Sequence, residues 1–267
     1  MTADLEREDR RPVYELLRLE SISKSFGGLD AIKALSFSVR ERSISAIIGP
    51  NGAGKTTVFN LISGLERLNR GMIYYKDERI DTLKPHQIPY RGVGRTFQNL
   101  RLFSNMNVME NVMMGRYSRS SSGFLSCALH GRRFKHEEAE IREKAAYWLD
   151  FMNLYELRDR KISQIPFEKQ RIVEITRALA SEPDLMLLDE PAAGLNITET
   201  KRLIDTVYKM RELGITILIV EHDMDLIMEI SENIVVLNFG EKIADGPPHQ
   251  IQKDERVISV YLGKEFA

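Results

Sequence analysis

The feature that most constrains this chain is a glycine-rich segment, residues 49–57, with the sequence Gly-Pro-Asn-Gly-Ala-Gly-Lys-Thr-Thr. It has the full spacing G-x-x-x-x-G-K-[ST], and it follows a short apolar run at 45–48 that is typical of a buried strand. Glycines in such a loop let backbone N–H groups converge on phosphate oxygens at the start of the next helix. The pattern therefore predicts a loop that binds the phosphates of a nucleotide.

The polar side chains of this loop have expected roles. Lys55 supplies a positive charge for the β- and γ-phosphates, and the Thr56 hydroxyl is placed to hold Mg²⁺. The expected cofactors are therefore a nucleoside triphosphate and Mg²⁺. The residues that we expect to contact the nucleotide here are Gly49, Asn51, Gly52, Ala53, Gly54, Lys55, Thr56 and Thr57.

Further apolar runs at 185–188 and 215–220 alternate with helical patterns along the chain. Strands that alternate with helices indicate an α/β fold with a mostly parallel sheet. The block 99–178 has no such apolar strands, and its longest helical pattern covers 137–154. We therefore predict a parallel-sheet core that carries a helical insert.

Two more segments have strand-like patterns near the N-terminus. Residues 16–39 suggest strands with a turn at Gly27 and Gly28, and residues 72–80 suggest another strand. They predict an additional β subdomain. The expected organisation is a disordered tail at 1–13, an ATP-binding core with an antiparallel β subdomain at 14–98 and 179–245, a helical subdomain at 99–178, and a C-terminal tail at 246–267.

Helix boundaries can be placed at two capping boxes. Asn107 with Glu110, and Asn196 with Glu199, have the spacing in which each side chain bonds the other residue's backbone N–H. Gly214 has the position of a glycine that ends the second of these helices.

Composition excludes several classes of function. The net charge of −1 gives no basic field for nucleic acid, and Cys127 is the single cysteine, so a disulfide framework is excluded. The charged start at 1–12 does not resemble a secretory signal, and no apolar run approaches the roughly 18 residues of a membrane span. Work at a membrane would therefore depend on partner subunits.

Two carboxylates follow the apolar run at 185–188. Asp189 and Glu190 would lie at the carboxyl end of a parallel strand, where α/β sheets bind ligands. Asp189 is placed to take part in Mg²⁺ coordination, and Glu190 to orient or deprotonate an attacking water. An acid pair after a strand is by itself often only a solvated loop start, so this assignment depends on the phosphate loop.

With these motifs, nearly all of the chain from 16 to 263 resembles the ABC ATPases, in which they occur in this order. Gln98, in Arg-Thr-Phe-Gln-Asn, matches the Q-loop glutamine, and residues 191–196 resemble the D-loop. His222, in Val-Glu-His-Asp, matches the switch histidine, and Phe26 lies where the family stacks an aromatic ring on adenine. Each match alone has an ordinary structural explanation; together they favour the functional one.

The resemblance implies a P-loop NTPase (RecA-like) fold and a set of roles. Gln98 would reach the metal, with Thr56 and Asp189, or the attacking water, and would sense a membrane partner. His222 would bond the γ-phosphate and act with Glu190 and Gln98 in catalysis. Two such subunits would clamp two ATP molecules head to tail, as a homodimer or a heterodimer, at the cytoplasmic face of a membrane.

A narrower resemblance points to the branched-chain amino acid importers. It rests on the 192–196, 221–224 and 95–98 segments and on the ending at 257–263, with the insert after Gly115. Members of that subfamily work beneath two permease subunits and are fed by a periplasmic solute-binding protein. The urea and short-amide importers and the lipopolysaccharide exporter ATPase are close relatives that the sequence leaves open.

The chain departs from the family at its signature loop. The usual Leu-Ser-Gly-Gly-Gln is replaced by residues 165–170, Ile-Pro-Phe-Glu-Lys-Gln, so the loop positions are held by Pro166, Phe167, Glu168 and Lys169. In the family this loop donates N–H groups to the partner's γ-phosphate. At about 4 Å, two like unit charges repel by roughly 1 kcal/mol in water and about 4 kcal/mol at an effective dielectric of 20.

Two expectations follow for Glu168. If its carboxylate faces the partner's ATP, the dimer is asymmetric and one composite site is weak, and Glu168→Gly would raise turnover or ATP affinity there. If the carboxylate points away, only the backbone N–H matters.

The sequence also marks a possible coupling surface. Leu102, Phe103 and the methionines at 106, 109, 113 and 114 suit either an adaptable groove for a membrane-subunit helix or an ordinary helix core. The basic side chains Arg132, Arg133 and Lys135 suit lipid head groups or, more simply, a solvated loop in the surface excursion expected at 116–136.

Three classes of function remain at this point. The leading one is ATP hydrolysis coupled to solute import. A soluble ABC ATPase of translation or DNA repair is less favoured, since the chain has one cassette and no sustained heptads. A nucleotide-binding scaffold with a degenerate signature loop is the third.

Overall fold

The computed structural model describes residues 14–117 and 132–262, without the side chains of 132–135 and 262. The expected tail at 1–13, most of the surface excursion at 116–136, the basic side chains within it, and Gly263 lie outside the described residues. The strands are β1 (Glu15–Phe26), β2 (Leu29–Arg40), β3 (Ile44–Ile48), β4 (Arg70–Tyr75), β5 (Glu78–Arg79), β6 (Val93–Arg95), β7 (Leu185–Asp189), β8 (Thr216–Val220), β9 (Asn233–Asn238) and β10 (Glu241–Gly246). The helices are α1 (Lys55–Ile62), α2 (Val108–Arg116), α3 (Arg132–Phe151), α4 (Phe167–Leu179), α5 (Ile197–Glu212), α6 (Met224–Ile230), α7 (Pro248–Ile251) and α8 (Glu255–Leu262).

The main sheet is mostly parallel, as the sequence predicts. Within the described residues it has the strand order β10-β9-β3-β8-β7-β6, with only β10 antiparallel to its neighbour. Every residue of β3, β7 and β8 is buried, which explains why these strands are continuous apolar runs rather than alternating ones. Their carboxyl ends lie at one edge of the sheet, where the predicted site residues follow.

A second sheet is antiparallel and has the order β2-β1-β4-β5. The turn predicted at Gly27 and Gly28 is confirmed, and both glycines have positive φ. Residues 72–80 form a hairpin rather than the single strand expected. Lys76 and Asp77 form its two-residue turn with φ of 49° and 59°, a conformation that matches the twist of the flanking strands.

Helices α2, α3 and α4 fill the block predicted to be a helical insert. Both capping boxes are confirmed: Asn107 and Glu110 bond each other's backbone N–H, as do Asn196 and Glu199. Gly214 follows α5 with φ of 84°, as predicted. Helix α3 begins earlier than expected, so the last residues of the predicted surface excursion are already helical.

Three features of the fold were not predicted. Strand β6 extends the main sheet at one edge, and the β9–β10 hairpin extends it at the other. The segment 246–267, expected as a C-terminal tail, instead forms α7 and α8 over most of its length. Ile251 and Val257 are buried in the main core, so this segment packs against the fold because it has apolar residues at helical spacing.

The hydrophobic residues form two cores on opposite faces of the main sheet. Ile44, Ala46 and Ile48 of β3 belong to the core shared with the helical insert, while Ile47 belongs to the core shared with the antiparallel sheet. This division follows from the alternation of side chains along a strand. None of the described helices combines the length and the apolar character that a membrane crossing requires.

Candidate functional site

The glycine-rich loop joins β3 to α1, in the strand–loop–helix context that the motif requires. Gly54 is the N-cap of α1 with φ of 104°. A Cβ at this position would lie 2.7 Å from the Ala31 carbonyl oxygen and 2.6 Å from the Ile32 side chain. Only glycine therefore fits this turn, which aims the first N–H groups of α1 into the loop.

The ammonium group of Lys55 lies inside the loop. Its Nζ donates to the carbonyl oxygens of Gly49 at 2.7 Å and Pro50 at 3.1 Å, and the residue is 6% exposed. Hydrogen bonds from a charged donor are the stronger kind, so this side chain is held in place by its own loop.

A cavity of about 600 Å³ opens over the loop. Of the residues predicted to act here, it is lined by Asn51, Gly52, Ala53, Gly54, Lys55, Thr56, Thr57, Gln98, Glu190 and His222. These residues come from four separate parts of the chain. The fold therefore brings most of the predicted site together around one opening.

Glu190 connects two of the other predicted residues. Its Oε1 lies 2.6 Å from His222 Nε2, and its Oε2 accepts a hydrogen bond of 2.8 Å from Gln98 Nε2. Its backbone has φ of 48°, and its N–H donates to Val220 of the neighbouring strand. A non-glycine residue in this conformation at a cavity edge is typical of functional positions.

Asp189 lies below this group and does not line the cavity. One carboxylate oxygen accepts a hydrogen bond of 3.1 Å from Arg95 Nη2, while Oδ1 is buried with no hydrogen-bond partner among the described residues. Burial raises the pKa of Asp189 and lowers that of Arg95, in each case against the attraction between the two groups. A buried carboxylate oxygen without a hydrogen-bond partner, on a residue that interacts with the charge of Lys55, is a ligand that suits Mg²⁺.

The placement of Phe26 differs from the expectation. It lies at the end of β1, is partly exposed, and is not among the residues that line the cavity; the Lys24 ammonium lies 4.6 Å from its ring centroid. Its contact with adenine therefore stays a prediction. The aromatic ring that does line the cavity belongs to Phe239, which is 75% exposed in the β9–β10 turn.

Glu221 is a second site residue that the sequence did not single out. It follows β8, directly before His222, and is 4% exposed. Its carboxylate accepts hydrogen bonds from the backbone N–H groups of Ala192 and His222. Its position beside the predicted switch histidine was the only sequence signal for it.

The signature positions lie at the start of α4, whose N-cap is Pro166. The Glu168 carboxylate is buried and paired with Arg202 of α5, with 3.2 Å between Oε1 and Nη1. The charge expected to oppose a phosphate is thus balanced within the chain, because the carboxylate turns toward α5. Phe167 is half-exposed and lies beside Gly194 in the predicted D-loop, and Lys169 is partly buried.

Helix α4 also holds the backbone next to Gln98. Arg171 Nη1 donates to the carbonyl oxygens of Phe97 and Gln98, each at 3.2 Å, and Glu174 Oε1 accepts from the Arg101 N–H. Both side chains are almost fully buried, and burial raises the pKa of Glu174. Helix α4 is therefore linked by hydrogen bonds to the backbone of Gln98.

The methionine-rich segment has a mixed role. Met109 and Met113 are buried in the core, whereas Phe103 and Met114 are exposed and line a second cavity of about 320 Å³ with Arg177 and Gly94. The core interpretation is therefore confirmed for Met109 and Met113, while a groove for a membrane-subunit helix stays a prediction for Phe103 and Met114.

Comparison with known proteins gives two family matches. A model described as ABC transporter matches residues 32–193, and one described as branched-chain amino acid ATP-binding cassette transporter matches residues 241–267. The chain is 41% identical over 255 residues to the high-affinity branched-chain amino acid transport ATP-binding protein BraF of Pseudomonas aeruginosa, covering 95% of this chain and 99% of that protein. It is 40% identical over 250 residues to LivG of Escherichia coli K12, covering 93% and 98%.

Solved structures agree with these matches. A nucleotide-free ATP-binding cassette from an ABC transporter has a TM-score of 0.82 and 31% identity, with 93% of this chain and 99% of that chain covered. The ADP conformation of an ATP-binding cassette has a TM-score of 0.82 and 32% identity, with 94% and 99% covered.

Proposed function

Because this chain belongs to the ABC transporter family, we propose that it is the subunit that binds and hydrolyses ATP to drive the uptake of branched-chain amino acids. The family relationship and the names of the relatives support the activity and the solute class. The observation that carries the proposal is the convergence of the phosphate loop with Gln98, Glu190 and His222 around one cavity.

The proposed mechanism assigns a task to each of these residues. The N–H groups of residues 51–57 hold the phosphates at the positive end of α1, and Lys55 exchanges its two carbonyl partners for phosphate oxygens. Glu190 orients and deprotonates the attacking water, and its contacts with Gln98 and His222 fix its carboxylate at the cavity edge. His222 also bonds the γ-phosphate once the nucleotide is bound.

We infer that Mg²⁺ is held by Thr56 and Asp189, with Gln98 completing the set. The unpartnered Asp189 Oδ1 supports this assignment. The metal would supply positive charge that neutralises the phosphates. Arg95 keeps the other carboxylate oxygen of Asp189 oriented, so the side chain needs little reorganisation.

The partners proposed are a second ATPase subunit and a membrane permease, fed indirectly by a solute-binding protein. We infer that residues 99–178 act as the subdomain that meets the permease, with Phe103 and Met114 in its cavity as the apolar contact. Residues 14–98 and 179–245 would form the ATP-binding core. The subunit would then be peripheral, at the cytoplasmic face of the membrane.

Glu190→Gln tests the proposed activity. In the transporter assembled with its permease, we expect the variant to lower ATP turnover by about 10² or more, because it removes the base, while ATP affinity stays within about two-fold. The matched control is Glu212→Gln, an exposed carboxylate at the end of α5. Equal turnover in Glu190→Gln and the wild type would contradict the role of Glu190, and no turnover in the wild type would contradict the ATPase function.

Transport assays test the solute class. Vesicles that contain the wild-type transporter and its solute-binding protein should accumulate leucine, isoleucine or valine when loaded with ATP. Accumulation of urea or a short amide instead would assign the chain to one of the related import systems.

A further inference from the structure

The buried carboxylate of Glu221 lies where two loops of the site meet. Strand β8 ends at Val220, and α6 begins two residues after His222, so the connection between them is short. The paired strand β7 ends at Asp189, opposite Val220, and continues into Glu190. Glu221 is therefore placed one residue beyond the sheet, between the segment that carries Glu190 and the one that carries His222.

Each oxygen of Glu221 bonds one of these segments. Oε1 accepts a hydrogen bond of 2.6 Å from the Ala192 N–H, two residues after Glu190. Oε2 accepts one of 3.0 Å from the His222 N–H. Since a carboxylate accepts at both oxygens and donates at neither when ionised, no other side chain of this size can join two N–H donors in this way.

The burial of this carboxylate requires an explanation. Glu221 takes part in none of the ion pairs of the described residues, and burial raises the pKa of its carboxyl group. Burying an ionised acid beside the Glu190 carboxylate is unfavourable unless hydrogen bonds compensate for the lost solvation. The two hydrogen bonds of Glu221 also set the spacing between the Ala192 and His222 backbone segments.

We propose that Glu221 is a positioning residue for ATP hydrolysis, which holds the Ala192 and His222 segments at the separation that aligns the His222 ring with the Glu190 carboxylate. Within the described part of the chain it does not line the cavity, and its carboxylate bonds the backbone beside Glu190 and His222, so it acts through these two residues. This inference rests on the proposed ATPase function.

The test uses Glu221→Gln and Glu221→Leu in the assembled transporter. Glutamine has nearly the same shape, but its amide accepts one N–H and turns an NH₂ toward the other; leucine accepts neither. We expect turnover at saturating ATP to fall about ten-fold in the glutamine variant and further in the leucine variant. The reason is that buried N–H groups are left unpaired, one in the first variant and two in the second. The ATP dissociation constant, measured by titration, should stay within about two-fold, because the phosphate loop is unchanged.

A double-mutant comparison separates positioning from general stability. In a His222→Ala background, measured under single-turnover conditions, Glu221→Gln should cause less than about a two-fold further loss, because the ring that it aligns is gone. The matched control is Asp81→Asn, which alters a carboxylate that also accepts a backbone N–H, from Ile73 at 3.0 Å, but in the antiparallel sheet. It should leave turnover unchanged.

Three results would overturn the proposal. They are unchanged turnover in both Glu221 variants, equal losses with and without His222, and a rise in the ATP dissociation constant or loss of folding that accounts for the whole effect. An inactive wild-type transporter would instead contradict the proposed function itself, and this inference with it.

Discussion

At the scale of single residues, the site depends on backbone conformations that few side chains tolerate. Gly54 combines a positive φ with close contacts, whereas Gly52, with φ of 81°, has nothing within 4 Å of a Cβ. The two positions therefore disfavour a side chain for different reasons. At Gly52 the cost of a side chain is backbone strain alone, and at Gly54 it includes a clash with the Ala31 carbonyl oxygen.

Gly54→Ala and Gly52→Ala form a matched pair that tests this difference. Gly52→Ala should cost about 1–2 kcal/mol of unfolding free energy, from left-handed strain. Gly54→Ala should cost more than this and should also weaken ATP binding, because the start of α1 has to move. Urea unfolding and nucleotide titration measure both quantities; equal effects of the two substitutions would show that the contacts with Ala31 and Ile32 are relieved without cost.

Local patterns predicted the residues whose roles are tied to a motif. The loop at 49–57 could be assigned from its spacing, Glu190 from its place after an apolar strand, and Gln98 and His222 from the resemblance to the family. Glu221 and Phe239 could not, because their roles arise from contacts across the sheet and around a turn. The ion pair of Glu168 is of the same kind, since nothing in the sequence places Arg202 beside it.

At the scale of secondary structure, the three helices of the insert are tied together by one side chain. Glu182 follows α4, and its carboxylate pairs with Arg116 at the end of α2 at 2.8 Å and with Lys144 of α3 at 3.2 Å. Burial acts to raise the pKa of Glu182, but the hydrogen bonds from Arg116 and Lys144 outweigh it and lower the pKa below its ordinary value.

Removing this carboxylate should produce a pH-dependent loss of stability. A carboxyl group with a lowered folded-state pKa stabilises the fold above its unfolded pKa, and the contribution is lost as the pH falls through the folded value. Glu182→Gln should therefore lower the free energy of unfolding by up to about 1 kcal/mol at pH 7, after screening of this partly exposed group. Wild type and variant should converge in denaturant titrations as the pH falls below about 4. A difference that stays constant with pH would indicate lost packing rather than lost charge.

Elements with a clear local sequence signal were predictable, and elements that depend on a neighbouring strand or on the formed core were not. Buried strands β3, β7 and β8 and the capped helices α2 and α5 have clear signals because burial and capping act locally. Strand β6 has three residues, one of them Gly94, and exists because β7 pairs with it. Helix α8 was expected as part of a tail because its apolar residues gain a partner only when the core has formed.

At the scale of the whole molecule, α4 links regions to which the proposed assembly assigns different partners. Its start carries the signature positions, its middle holds the backbone of Gln98 through Arg171, and Arg177 donates to the Arg101 carbonyl oxygen near the second cavity. In the proposed assembly, these regions face the second ATPase subunit, the nucleotide and the permease. A rotation of α4 would therefore displace the signature positions, the backbone of Gln98 and the wall of the second cavity together.

The balance of charge at the start of α4 can be tested in the assembled dimer. Arg202→Ala leaves the Glu168 carboxylate unpaired at the helix start, and if this end meets the partner's ATP, turnover should fall on the order of ten-fold. Glu168→Gln combined with Arg202→Ala should restore it, because the charge is removed. ATPase rates of the single and double variants measure the effect. Equal rates in the two would mean that this end of α4 is not close to a phosphate.

The position of Lys55 has a consequence for which molecules the loop accepts. Its ammonium already donates to two carbonyl oxygens, so a ligand that binds Lys55 has to replace these acceptors with oxygens of its own. A nucleoside or a free base brings no anionic oxygen with which to displace the carbonyl groups of Gly49 and Pro50. We therefore expect the loop to bind nucleosides and bases weakly, whatever contacts the purine ring makes. Affinity should be higher for ligands whose phosphate chain carries more negative charge.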